Sequence, residues 1–150
     1  MNHEGKRHEG HEVSRSERFG MRHPPALSAE AEIVMTETIG CDIAVHKALG
    51  PGFLESLYKK AMRIELEARG LTYEAEKPVK LTYRGVDLPG QRIDLLVGGL
   101  IVVELKAVMR LDQIHVAQVI SYLNATKLRG GLLINFRVPY LKVGLRRLVL

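Results

Sequence analysis

Tryptophan is absent, cysteine occurs once, and only 5% of the residues are aromatic. A single cysteine, Cys41, excludes an intramolecular disulfide and any zinc site built from clustered cysteines. It falls within a helical pattern, where a small buried residue is the expectation. No apolar run approaches the roughly 18 residues that a membrane-crossing helix needs. The N-terminus is polar and histidine-rich rather than apolar, so it does not read as a secretory leader. Together these absences lead to the expectation of a cytoplasmic protein without a membrane span.

What is present suits one folded unit. The 150 residues, 46% of them hydrophobic, are enough for a single domain with a substantial core. The net charge of +5 and a sequence pI near 9.5 favour polyanionic partners. Met1 to Pro25 carries charges of both signs in near balance, so the basic excess belongs to the remainder. That stretch has no apolar periodicity, holds His3, His8, His11 and His23, and ends in Pro24-Pro25. It reads as a flexible polar tail, and the domain organisation expected is a tail over 1–27 and a folded domain over 28–150.

Ser28 is a plausible N-cap, followed by Glu30 and Glu32 where the helix dipole favours acid. Ile33, Ile39, Ile43 and His46 recur at helical spacing as far as Leu49, and Gly50-Pro51-Gly52 makes a corner. A second helix is predicted from about Leu54 to Arg69, with Leu54, Leu57, Ala61, Ile64 and Ala68 as its apolar stripe and Gly70 as its stop. The period then changes. Val79, Leu81 and Tyr83 alternate as in a strand, and Arg92 to Val97 and Leu100 to Ala107 read as two strands joined through Gly98-Gly99. A helix from about Leu111 to Leu128 follows, with Val116, Ile120 and Leu123 on an apolar face and His115, Gln118 and Tyr122 on a polar one. Gly130-Gly131 leads into a short buried strand ending at Phe136, and Val143 to Leu150 is a final strand. The order α-α-β-β-β-α-β-β is that of a mixed α/β domain.

Chemistry concentrates in the Gly98-Gly99 hairpin. Glu104 and Lys106, two apart on a strand, share a face. Their neighbours Ile101, Val102, Val103 and Leu105 are those of a central, covered strand. Charges there are costly unless paired or given a cation. A two-residue turn would pair Asp94 with Val103 and send Asp94 to the face opposite Glu104. A longer loop, setting Ile93 against Val103, Asp94 against Val102 and Leu95 against Ile101, gathers Ile93, Leu95, Ile101, Val103 and Leu105 on one face. Arg92, Asp94, Glu104 and Lys106 then share the other. The apolar pattern prefers this second register. Two carboxylates on one face suit a hard cation, Mg²⁺ or Mn²⁺, and a lysine beside them can stabilise developing negative charge.

Asp94, nine intervening residues and then Glu104-Leu105-Lys106 resembles the PD-(D/E)XK nuclease superfamily. Gly52-Phe53-Leu54-Glu55-Ser56-Leu57-Tyr58 resembles the signature of its GxxExxY branch. The run Val45 to Gly52, the segment Glu104 to Ala107, the pair Gln118 and Tyr122, and Leu133 to Phe136 extend the similarity over about Glu30 to Leu150. The resemblance implies a restriction-endonuclease-like core, a central mixed sheet flanked by helices. It implies Asp94 and Glu104 as metal ligands, the Leu105 carbonyl as a third, Glu55 as a further acid and Lys106 as the catalytic lysine. It also sets Gln118 and Tyr122 at the border of the site, against nucleic acid. Ile93 stands where the named proline would be, a departure that leaves the ligands untouched. Without the resemblance, Glu55 reads equally well as an acid complementing its helix dipole, and Tyr58 as cover for the core edge. The expected function is metal-dependent hydrolysis of phosphodiester bonds, DNA ahead of RNA, with self-association left open. The alternative is a catalytically silent nucleic-acid-binding or self-assembling module on the same fold.

Overall fold

Ser28 opens the first helix by accepting the Ala31 N–H on its Oγ at 3.1 Å, which satisfies one of the free donors of a helix start. The computed structural model describes residues 26–150, so the first 25 residues of the tail, with its four histidines, lie outside the described residues. Helix α1 runs Ala29–Leu49, with Glu30 and Glu32 in its first turn and His46 and Lys47 in its last. Leu27, which the sequence assigned to the tail, is buried in the core beside Gly130.

Both predicted stripes of the first two helices are displaced. On α1 the buried positions are Ala31, Met35, Thr38, Cys41, Asp42, Val45 and His46, whereas Ile33 is 61% exposed. On α2 (Glu55–Ala68) they are Tyr58, Met62 and Leu66, whereas Leu54 and Ile64 are exposed. Each helix has apolar residues on more than one side, so spacing alone allows more than one phase. On α2 an aromatic contact decides. The Tyr58 ring stacks on Phe136 with centroids 4.4 Å apart and planes at 2°, and burying one large ring contributes more than any aliphatic alternative.

Strand β1 (Tyr73–Pro78) precedes the predicted Val79–Tyr83 strand, and that segment instead leads into a two-stranded hairpin, β2 (Thr82–Tyr83) and β3 (Val86–Asp87). The edge position of β1 explains the miss. Only Tyr73, Ala75 and Lys77 turn partly inward, so Glu74, Glu76 and Lys77 hide its alternation. Strands β4 (Arg92–Val97) and β5 (Ile101–Lys106), helix α3 (Gln113–Thr126), strand β6 (Gly130–Asn135), a short 3₁₀ turn (Leu141–Gly144) and β7 (Leu145–Val149) complete the chain. The last strand is thus shorter than the predicted Val143–Leu150.

The main sheet has the order β1-β4-β5-β6-β7. Only β5 and β6 are parallel, joined by the crossover through α3; the remaining pairs are antiparallel. Helices α1 and α2 cover one side, packing on Leu95, Val97, Ile101, Val103, Leu105, Leu132 and Ile134. Helix α3 covers the other with Val119, Tyr122 and Leu123, against Ile93, Leu96, Val102 and Leu133. Val116 and Ile120, read as its apolar face, are half-buried. This mixed sheet between helices is the restriction-endonuclease-like architecture expected from the sequence. Among the described residues, no helix is long and apolar enough to cross a membrane.

The hairpin register needs a correction. Gly98 and Gly99 take positive φ angles of 60° and 66°, conformations that glycine adopts without a Cβ penalty. They close a three-residue loop with Leu100 that pairs Val97 with Ile101, Leu96 with Val102 and Leu95 with Val103. The loop length is as expected, but the pairing is offset by two residues from the predicted one. An offset of two preserves faces, and continuing the ladder sets Asp94 opposite Glu104 itself. Ile93 does not share a face with Leu95: it packs on the α3 side, and Leu95 on the α1–α2 side. Strand β4 therefore turns over at Asp94.

Candidate active site

Regular β4–β5 pairing stops at Leu95 and Val103, and the next backbone donors turn to carboxylates. The Asp94 N–H donates to Glu104 Oε1 at 3.0 Å, and the Leu105 N–H donates to Asp94 Oδ2 at 2.9 Å. The two acids thus hold each other's strand in place of ladder bonds, and both are buried: Asp94 is 8% exposed and Glu104 2%. Such reciprocal bonding fixes the carboxylates more firmly than surface side chains are fixed.

The electrostatic consequence falls on Glu104. Burial, followed by the nearby Asp94 charge, pushes its pKa up to about 8, against which the Asp94 N–H and the Lys106 charge act only in part. The two buried carboxyls thus still disfavour each other's charge with Lys106 nearby. All their donors are oxygens, the set preferred by hard divalent cations, and a cation between them would relieve the repulsion. The site therefore fits a divalent ion in charge and donor chemistry. Among the described residues, no third His, Cys, Asp or Glu converges with the pair.

Lys106 ends β5 and projects into a hydrogen-bonded chain. Its Nζ donates to Gln118 Oε1 at 3.1 Å, Gln118 Nε2 donates to the Tyr122 hydroxyl at 3.1 Å, and that hydroxyl donates to Gln91 Oε1 at 2.8 Å. Gln118 and Tyr122, paired in the sequence analysis, are brought together one helical turn apart beside Lys106. Tyr122 is itself buried, and burial raises its pKa first of all. Asn135 braces the segment after β5: it accepts the Val108 N–H and donates to the Val108 carbonyl. His115 stands apart from the site chain, its Nδ1 accepting the Asp112 N–H at the start of α3.

Glu55 approaches from the other side, at the first position of α2. The Tyr58 hydroxyl explains how it is held there. It donates to the Gly50 carbonyl and accepts the Phe53 N–H at 3.1 Å, which ties the Gly50–Phe53 corner to the first turn of α2. In the Gly52…Glu55…Tyr58 pattern, tyrosine is thus the anchor that aims the glutamate. His46 supports the same corner, with Nε2 2.8 Å from the Val138 carbonyl and its ring stacked on Phe136. Glu55 does not reach the acid pair directly. Lys59 lies between, its Nζ 2.9 Å from Asp94 Oδ1 and 3.3 Å from Glu55 Oε2.

Lys59 is a site residue that the sequence reading missed, although its spacing from Glu55 (i, i+4, one helix face) carried the signal. Gln91 was missed as well, and nothing in its sequence neighbourhood marks it. Leu105 contributes its backbone, with its side chain fully buried. Two hollows reach residues around the acid pair, one touching Glu55 and the other Lys106, and neither is lined by Asp94 or Glu104. One, of about 500 Å³, is lined by Pro51 to Glu55, Ala107 and Arg137; the other, of about 440 Å³, by Lys106, Ile114, His115, Ala117, Gln118 and Ser121.

A buried acid pair beside a lysine, set where two central strands part in a helix-flanked mixed sheet, defines the class of domain. The model of one family, the PD-(D/E)XK nuclease superfamily, matches residues 32–148, and the chain belongs to that superfamily. No curated protein and no solved structure matches it. Membership brings a metal-dependent, nuclease-like function, with nucleic acid as the partner and divalent metals as the general cofactors of such nucleases.

Proposed function

We propose that the domain hydrolyses phosphodiester bonds with Mg²⁺ or Mn²⁺, acting on DNA ahead of RNA, as a member of the GxxExxY branch. The observation that carries this reading is the buried Asp94–Glu104 pair, each acid bonded to a backbone N–H of the opposite strand and Glu104 held protonated by burial and the Asp94 charge. Asp94, Glu104 and the Leu105 carbonyl are the proposed ligands, with Glu55 a further acid at the rim. The bound ion supplies Lewis-acid polarisation of a phosphoryl oxygen. Lys106, steadied by Gln118 and through it by Tyr122 and Gln91, donates to the charge that develops on that oxygen, and a preorganised donor is most effective in such a shielded place. Gln118 lines one hollow beside Lys106 and Arg137 the other, positions from which each can meet a phosphate backbone. The basic balance of the chain supports a nucleic-acid partner.

One observation favours the silent binding module instead: Lys59 already neutralises Asp94. Incubating supercoiled DNA, linear DNA and a single-stranded RNA with Mg²⁺, Mn²⁺ or a chelator separates the readings. Metal-dependent cleavage by the wild type, lost in Glu104→Gln and in Lys106→Ala, is expected, with Mn²⁺ affinity weakened only in Glu104→Gln. Equal nicking by all three proteins would trace to a contaminant. Salt-sensitive DNA binding without cleavage under any metal would favour the module.

A further inference from the structure

The structure points to a second function for α2 besides presenting Glu55. We propose that Lys59 is a built-in counter-cation of the acid pair, competing with the divalent ion for Asp94 Oδ1 and so setting the metal concentration at which the site fills. This inference rests on the metal-site reading above. Asp94 has two oxygens, and Oδ2 is already engaged by the Leu105 N–H at 2.9 Å. Oδ1 is therefore the oxygen left for a cation, and the Lys59 ammonium holds it at 2.9 Å.

This contact differs from an exposed ion pair, which contributes little. The Asp94 side chain is 9% exposed and that of Lys59 28%, so the pair is largely shielded from solvent. The base of Lys59 is also fixed, because the adjacent Tyr58 is bonded to the Gly50–Phe53 corner and stacked on Phe136. Its tip is not. Lysine is a compact charge on a flexible four-carbon stem, and Glu55, on the same helix face and more exposed, offers a second acceptor 3.3 Å away. The ammonium can release Asp94 and remain paired with Glu55 without backbone movement. Lys106 cannot substitute for it, since its ammonium is held by Gln118 at the other end of the site.

Mn²⁺ titration by calorimetry tests the idea on the full chain, comparing the wild type with Lys59→Gln, Lys59→Met, Lys59→Arg and Asp94→Asn, alongside melting temperatures in chelator. The two neutral variants should bind Mn²⁺ more tightly than the wild type, on the order of tenfold, which corresponds to about 1.4 kcal/mol of competition removed. They should also melt lower in chelator, and Mn²⁺ should raise their melting temperature by more than it raises that of the wild type. Lys59→Arg, which keeps the charge, should bind no more tightly than the wild type. A merely structural lysine would not tighten metal binding when lost, and keeping two neutral variants guards against one that fails to fold. If Asp94→Asn abolishes Mn²⁺ binding while both neutral variants bind as the wild type does or more weakly, the counter-cation role is overturned and the metal site stands. If neither the wild type nor the neutral variants bind Mn²⁺, both fall together.

Discussion

Replacing Glu104 by glutamine should change how stability depends on pH before it changes anything else. Folded, Glu104 keeps its proton up to about pH 8, because burial and the Asp94 charge disfavour its ionised form; an unfolded glutamate releases it near pH 4.3. Between those values the native state binds more protons than the unfolded state, so the metal-free wild type loses stability as the pH rises. Full titration would give a slope of about 1.4 kcal/mol per pH unit. From pH 5 to 7, where most of the difference develops, the loss comes to roughly 2–3 kcal/mol, or roughly 10 °C in melting temperature for a domain of this size. Glutamine fills the same volume, can still accept the Asp94 N–H, and does not titrate. In chelator, urea unfolding of Glu104→Gln at pH 5, 6, 7 and 8 should therefore show a flatter profile than the wild type and higher stability at pH 7. Parallel profiles for the two proteins would refute the reasoning, since they would mean that Glu104 titrates alike folded and unfolded. Saturating Mn²⁺ should flatten the wild-type profile too, because a bound cation removes the reason for holding the proton.

Two further outcomes follow from other parts of the molecule. Tyr58→Phe keeps the stacking on Phe136 but loses both hydroxyl bonds to the Gly50–Phe53 corner; it should cost about 1–2 kcal/mol by chemical denaturation, and faster hydrogen exchange at Phe53 would show where. Asp42 is fully buried on α1 with neither oxygen bonded among the described residues, and burial raises its pKa well above the ordinary value. Asp42→Leu should raise stability at pH 7 by about 1–3 kcal/mol, with a smaller gain near pH 4, where the wild-type carboxyl is more nearly neutral in both states. A loss of stability at pH 7 would expose a partner for this carboxyl.

The sequence determined the parts of this protein that depend on local pattern. A covered strand carrying Glu104 and Lys106 could be read from its apolar neighbours, because charge in such a strand requires a compensating group. The glycine hairpin and its three-residue loop followed from turn chemistry and from the period-two pattern of the strands on either side, although the pairing itself lies two residues from the expected one. The corner at Gly50–Gly52 and the start of α2 were legible for the same reason, since capping and turn chemistry are local.

Tertiary structure decided what depends on choosing among equivalent partners. Helices α1 and α2 offer apolar residues on more than one side, and only the Tyr58–Phe136 stack and the shape of the sheet select which side is buried. Strand β4 turns over at Asp94 because backbone donors there are taken by carboxylates from the opposite strand, a long-range exchange that no alternation pattern encodes. The bond from Tyr122 to Gln91, which ends the chain begun at Lys106, and the contact of Lys59 with Asp94 each join residues more than 30 positions apart. Spacing can place a lysine on the right helix face; which carboxylate it meets is settled only when the helix packs on the sheet.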